Sequence, residues 1–209
     1  MAYSRENPSP RYVDLLAQYK DLHENGDPIN HVPAETIFDG KSLLPQVMTI
    51  KNVIEKNSIK SLLDYGCGKA MEYGQFTAEA PDGTPIQGLD KFWGITDITL
   101  YDPAVEAYSA LPEGRFEAVI STDVLEHCPE EDLEWIVSEI FDYSKVCVYC
   151  TVALYPAGKN LPNGGNVHVT LKDAGWWLNF FETLSKKFDH RKYYLITMRS
   201  PSDMMIITG

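Results

Sequence analysis

The sequence predicts an α/β fold, a doubly wound and mostly parallel sheet with helices on both faces and an antiparallel hairpin strand at its C-terminal end. Three observations carry this. Apolar runs at 60–65, 97–102, 115–121 and 145–153 are short and nearly continuous, as in strands buried on both faces. Stretches with apolar residues three or four apart separate several of them, as in helices that pack one stripe on a sheet. Two further runs, 192–198 and 203–208, flank Arg199-Ser200-Pro201-Ser202, which reads as a hairpin connection.

The elements follow in chain order. Residues 1–9 hold one proline, Pro8, and little apolar content, so the segment is expected to fray. Tyr12, Leu15, Leu16, Tyr19 and Leu22 keep helical spacing over 10–23. Residues 24–40 are rich in Gly, Pro, Asn and Asp and read as a loop. Ser42 can cap a second helix whose apolar stripe is Leu43, Val47, Ile50 and Ile54. The first strand, 60–65, runs into Gly66-Cys67-Gly68, with a helix expected from near Lys69. Pro81, Gly83, Pro85, Gly88 and Gly94 mark 80–93 as a loop or insertion. The strand at 97–102 ends on Asp102, and another spans 115–121. The clearest helix is 130–143, with Leu133, Ile136, Val137, Ile140 and Phe141 on one face and Glu130, Glu131 and Asp132 at its positive end. After the strand at 145–153 comes a Pro/Gly/Asn loop over 155–165. Thr170-Leu171-Lys172-Asp173 has capping-box spacing ahead of a helix lined by Trp177, Phe181, Leu184 and Phe188. We read 1–41 as an N-terminal segment with an amphipathic helix, and 42–209 as one globular domain.

The bulk properties exclude some function classes. Eighteen basic and 30 acidic residues leave a net charge of −12, without the dense Lys/Arg stripe that displaces phosphate counterions. Nucleic acid and anionic membrane surfaces are therefore disfavoured as partners. No apolar run reaches the roughly 18 residues of a membrane helix. The stretch Met1–Pro8 has no apolar signal core, so a cytoplasmic location is expected. Cys147 and Cys150 have CxxC spacing, but within a strand residues three apart face opposite ways. They cannot pinch one metal or form a redox pair, and no metal ligand is assigned from the sequence.

Two strand ends carry the chemistry. The turn Asp64-Tyr65-Gly66-Cys67-Gly68 lets a ligand approach the backbone, and ligands of open α/β sheets bind at the carboxyl ends of strands. A dinucleotide fingerprint wants a third glycine, and Met71 stands there instead. Asp102, followed by Pro103, offers a carboxylate that can accept both hydroxyls of a ribose, or is simply a surface acid opening a turn.

Together these features resemble the class I S-adenosylmethionine-dependent methyltransferases, which are Rossmann-like, over roughly Ser42 to the C-terminus. The string Ser121-Thr122-Asp123-Val124-Leu125-Glu126-His127 is similar to the small-molecule branch of that family. The resemblance implies that Asp64, Gly66, Cys67, Gly68, Asp102, Pro103 and Asp123 hold S-adenosylmethionine, whose product is S-adenosylhomocysteine. It implies His127 near the acceptor, and the N-terminal segment with Tyr12, Tyr19 and His31 as a lid. The family places a helix, a third strand and an adenine-contacting acid between the second and fourth strands. Here only Pro103–Arg115 is available, so that unit is abbreviated or has a remnant at Tyr108–Leu111.

His127 and His168 are the candidate proton handlers, each with a plainer reading as a packing, cap or loop residue. Trp177 fits the core stripe, whereas Trp176, about 100° round the helix, can face an acceptor pocket or also pack. The expected function is methyl transfer to a small-molecule or sugar-like acceptor through a hydroxyl, amine or carboxyl group. The alternatives are a nucleic-acid or protein methyltransferase and a non-catalytic S-adenosylmethionine-binding module, with a dinucleotide oxidoreductase further off.

Overall fold

The computed structural model describes residues 2–74, 76–189, 191–200 and 203–209, with the backbone alone at 41 and 42. Among these residues the strands are β1 (Ser61–Tyr65), β2 (Thr77–Glu79), β3 (Pro85–Gln87), β4 (Asp97–Tyr101), β5 (Phe116–Thr122), β6 (Ser144–Ala153), β7 (Lys192–Ser200) and β8 (Asp203–Thr208). The helices are α1 (Pro10–Asn25), α2 (Val47–Asn57), α3 (Leu89–Trp93), α4 (Leu133–Tyr143) and α5 (Ala174–Ser185). Six strands make the main sheet in the order β4-β1-β5-β6-β7-β8. Every pairing is parallel except β7 with β8, so the α/β class and the antiparallel C-terminal edge strand are as expected. The cap expected at Ser42 and the turn at 201–202 lie outside the described residues.

Period-2 alternation divides the core. Leu62, Ile120, Cys147, Tyr149 and Ile196 point to the face covered by α2 and α3. Leu63, Val119, Val148, Cys150 and Leu195 point to the face covered by α4 and α5. Cys147 and Cys150 thus fall in different cores, as strand geometry requires. Helices cover the sheet because their stripes are apolar: Val47, Ile50 and Ile54 on α2, then Ile136, Val137, Ile140 and Phe141 on α4. Each such side chain contributes roughly 1.5–3 kcal/mol when fully buried.

Several local expectations fail for identifiable reasons. Of the segment expected to fray, residues 2–9 are anchored instead. The Arg5 guanidinium pairs with Glu139 and donates to the Tyr65 and Tyr101 hydroxyls at 2.9 and 3.0 Å. Buried Ser9 caps α1, accepting from the Tyr12 N–H while donating its own hydroxyl to Asp132. The helix expected from near Lys69 does not form among the described residues. Gly68, Ala70 and Gly74 all take positive φ, which breaks a right-handed helix, and the Lys69 ammonium donates to the carbonyls of His23 and Ala34.

The segment expected to be a loop at 80–93 contributes to the antiparallel β2–β3 hairpin and to α3. Ile86, Leu89 and Trp93 are buried there, with the Trp93 ring N–H donating to Val47 O at 3.0 Å. Tyr108–Leu111 is no third strand; Glu106–Tyr108 forms one 3-10 turn. Asp173, not Thr170, caps α5 by accepting from the Trp176 N–H at 2.8 Å, while the Thr170 hydroxyl donates to Cys128 O.

Candidate functional site

The chain leaves β1 towards β4 on one side and returns to place β5 on the other. The strand order therefore reverses beside β1, and a crevice opens at the carboxyl ends of β1, β4 and β5. A cleft of about 200 Å³ sits there, lined by Asp64, Gly66, Cys67, Gly68, Asp102, Pro103, Asp123 and His127. α1 and the loop after it form the opposite wall through Tyr12, Leu16, Tyr19, His23 and Phe38.

The glycine turn is held closed from beneath. The N–H groups of Gly66 and Cys67 both donate to Tyr101 O, at 2.7 and 3.1 Å. Gly66 has φ +87°, and a Cβ on it would run into the Val124 side chain. The Gly68 N–H donates to Asp102 Oδ2 at 2.8 Å, and Asp102 Oδ1 accepts from the Ala104 N–H at 2.8 Å. Asp102 thus fastens one strand-end turn to the next, a structural duty beside any contact with a ligand. Burial raises its pKa, and those two hydrogen bonds oppose the rise.

Asp64 is buried, and its carboxylate accepts from the Tyr73 hydroxyl at 2.7 Å. Burial pushes its pKa up to about 7; the Tyr73 bond pulls it down, and the Glu72 and Asp102 carboxylates push it further up. Burial also pushes the Cys67 thiol far above its ordinary range, so it is no nucleophile at neutral pH.

Beyond β5, Asp123 has φ +61°, an uncommon conformation for a non-glycine residue, and its N–H donates to Thr151 Oγ1 at 3.0 Å. His127 follows on a 3-10 turn (Leu125–His127), edge-on to Tyr19, Phe38 and His168 with ring centroids 5.5, 5.9 and 4.8 Å away. Burial pushes the His127 imidazole well below its ordinary pKa, so it is neutral at pH 7. His168 is buried, with Nδ1 2.7 Å from Tyr155 O. Glu126, fully buried, accepts from the Ala153 N–H through one oxygen, and its other oxygen, Oε2, has no hydrogen-bond partner.

Most of the expected site residues are therefore brought together. Trp176 is not: it stacks on Phe180 at 5.2 Å beneath the Lys172 ammonium, on the α4/α5 side of the sheet, away from the cleft. Its helical phase put it off the core stripe but said nothing of which face the helix covers. His31 is exposed and does not line the cleft. Sequence reasoning missed Phe38, His23, Tyr73 and Lys159. Nothing in their local sequence sets them apart, because a loop or a distant segment delivers each of them to the site. No family model matches the chain, and no curated protein matches it.

Proposed function

We propose that the cleft binds S-adenosylmethionine and that the chain transfers its methyl group to a small-molecule acceptor through a hydroxyl, amine or carboxyl group. The observation that carries this reading is the convergence of Asp64, the Gly66–Gly68 turn, Asp102 and Asp123 at three adjacent strand ends, with two histidines just beyond Asp123. The residues suit the ligand's parts. A buried carboxyl with a pKa near 7, such as Asp64, gains a counter-charge from an α-ammonium. Each Asp102 oxygen has one bond to a backbone N–H and keeps a lone pair for a ribose hydroxyl.

When bound, the cofactor supplies an electrophilic methyl group on a sulfonium. The chain's task is to hold the acceptor in line with it and to exclude water, and orientation of that kind supplies much of such a barrier reduction. A hydroxyl acceptor would have to lose its proton as it took the methyl group. His168 donates Nδ1–H to Tyr155 O, so its Nε2 is free to take that proton. The net charge of −12 favours a small acceptor over nucleic acid.

Calorimetry with S-adenosylmethionine, S-adenosylhomocysteine and NADH tests the ligand. Both adenosyl compounds should bind and NADH should not. Binding of NADH alone would overturn the reading. Asp102→Ala should weaken S-adenosylmethionine binding by roughly 1–3 kcal/mol, since ribose hydroxyls lose a charged acceptor and the Gly68 turn loses its fastening. Unchanged affinity would remove Asp102 from the site.

A further inference from the structure

We propose that Asp123, His127 and His168 form a binding site for a divalent transition-metal ion at the floor of the cleft. One ligand atom from each, a carboxylate oxygen and two ring nitrogens, lie within 4.8 Å of one another. Ligands about 2.1 Å from an ion can be up to roughly 4.2 Å apart, so small side-chain adjustments close the set.

The hydrogen bonds around the rings fix which nitrogens face inward. His168 Nδ1 lies 2.7 Å from Tyr155 O, a pure acceptor, so Nδ1 carries the proton and Nε2 a lone pair. The Tyr19 hydroxyl donates to Val167 O at 2.7 Å. Its single proton is used there, so its oxygen accepts from His127 Nδ1–H at 3.2 Å. His127 Nε2 is then a lone pair as well. Each ring therefore keeps a lone pair for a cation beside the Asp123 carboxylate, and among the described residues no hydrogen bond joins Asp123 to either ring. Outward Nδ1–H bonds to a carbonyl and a phenol are the supports that orient metal-binding histidines.

A second observation points the same way. Glu126, next to His127 in the chain, is 0% exposed and its Oε2 has no hydrogen-bond partner. A cation held by Asp123 and His127 would place positive charge beside this buried carboxyl group. Lys159 also lines the cleft, and its ammonium lies 4.9 Å from the Phe38 ring centre. Two nitrogens and one oxygen suit Zn²⁺, Fe²⁺, Co²⁺ or Ni²⁺ better than Mg²⁺, which prefers oxygen throughout. Asp123 and His127 border the cleft, so the remaining coordination positions open towards it. Binding of the ion is independent of the methyl-transfer reading. Its use to polarise an acceptor oxygen rests on that reading, and with the ion on His168 Nε2 that nitrogen no longer serves as the base, the ion instead lowering the pKa of a bound hydroxyl.

The test titrates chelator-stripped, full-length protein with Co²⁺, following visible absorption, then displaces it with Zn²⁺. We expect one Co²⁺ per chain, displaced by Zn²⁺ and not by millimolar Mg²⁺. Asp123→Asn and His168→Gln should each weaken binding at least tenfold, with circular dichroism showing that they fold. Tyr19→Phe, which keeps the ring and removes only the oxygen that orients His127, should weaken it about tenfold. His31→Gln, an exposed control, should not. X-ray absorption of the cobalt protein should show two imidazole ligands. Absent Co²⁺ bands, thiolate-to-cobalt charge transfer, a spectrum without imidazole, or an affinity untouched by these variants would each overturn the site. S-adenosylmethionine calorimetry in the presence of EDTA gives the cofactor question its own answer.

Discussion

Asp64 carries a proton near neutrality because burial disfavours its charged form and the Glu72 and Asp102 carboxylates add to that, against the opposing hydrogen bond from the Tyr73 phenol. Its folded pKa of about 7 exceeds the ordinary 3.8, so its contribution to stability is fully present below about 3.8 and is lost as pH rises through 7. At about 1.36 kcal/mol per unit, that is a loss of about 4 kcal/mol above neutrality. His127 acts oppositely: its lowered pKa costs stability as pH falls below about 6.5. Asp64→Asn isolates the first effect. Urea unfolding at pH 5 and pH 8 should show a smaller difference in the variant than in the wild type, and equal differences would refute the shift. The same proton predicts a binding signature. An ammonium docking on Asp64 should expel it, so calorimetry of S-adenosylmethionine at pH 7 in two buffers of unlike ionisation enthalpy should show release of up to one proton. Gly66 makes a sharper case of backbone demand. With φ +87° and Val124 against it, Gly66→Ala should cost about 2–4 kcal/mol in denaturant unfolding, and Val124→Ala should recover only the steric part. The glycine was legible in the sequence as a turn residue. The side chain that occupies the space beside it was not.

At the scale of elements, legibility follows burial. β1, β5 and β6 announce themselves because they are sandwiched between two helix layers and tolerate few polar residues. β2 and β3 span three residues each, include Pro85, and bury Ile86 fully, so no period is long enough to read. Thr170 and Asp173 are both plausible caps by type, and only the docking of Thr170 on Cys128 decides between them. The anchoring of residues 2–9 depends on partners far along the chain, Asp132 and Glu139. Asp132 is fully buried and accepts from the Ser9 N–H and hydroxyl and from the Trp135 ring N–H. Asp132→Ala strands those donors and should cost about 2–4 kcal/mol, loosening α1 with it. Proteolysis should then cut near residue 9 well before the sheet. Resistance equal to that of the wild type would mean Arg5 and Glu139 suffice as the anchor.

For the whole molecule, the sheet ends supply the site and the N-terminal segment closes it. The three metal donors come from two stretches about 40 residues apart, and a sequence shows neither their convergence nor the tautomers that aim them. The cover stands on its own small core of Leu15, Leu22, Ile37, Leu161 and Val167, separate from both sheet cores. Asp27 fastens it by accepting from the N–H groups of Ile29, Asn30 and Asn160. A cleft of about 200 Å³ is below the ~300–1,000 Å³ usual for small-molecule sites, so an adenosyl ligand requires this cover to shift. A small core under a cover predicts opening at lower free energy than global unfolding. In the free protein, amides of residues 10–40 should exchange at least tenfold faster than those of 116–122 and 144–153, and saturating S-adenosylmethionine should slow the first group while leaving the second unchanged. Should α1 already exchange as slowly as β6 in the free protein, the cover does not open on its own, and ligand entry by that route is excluded.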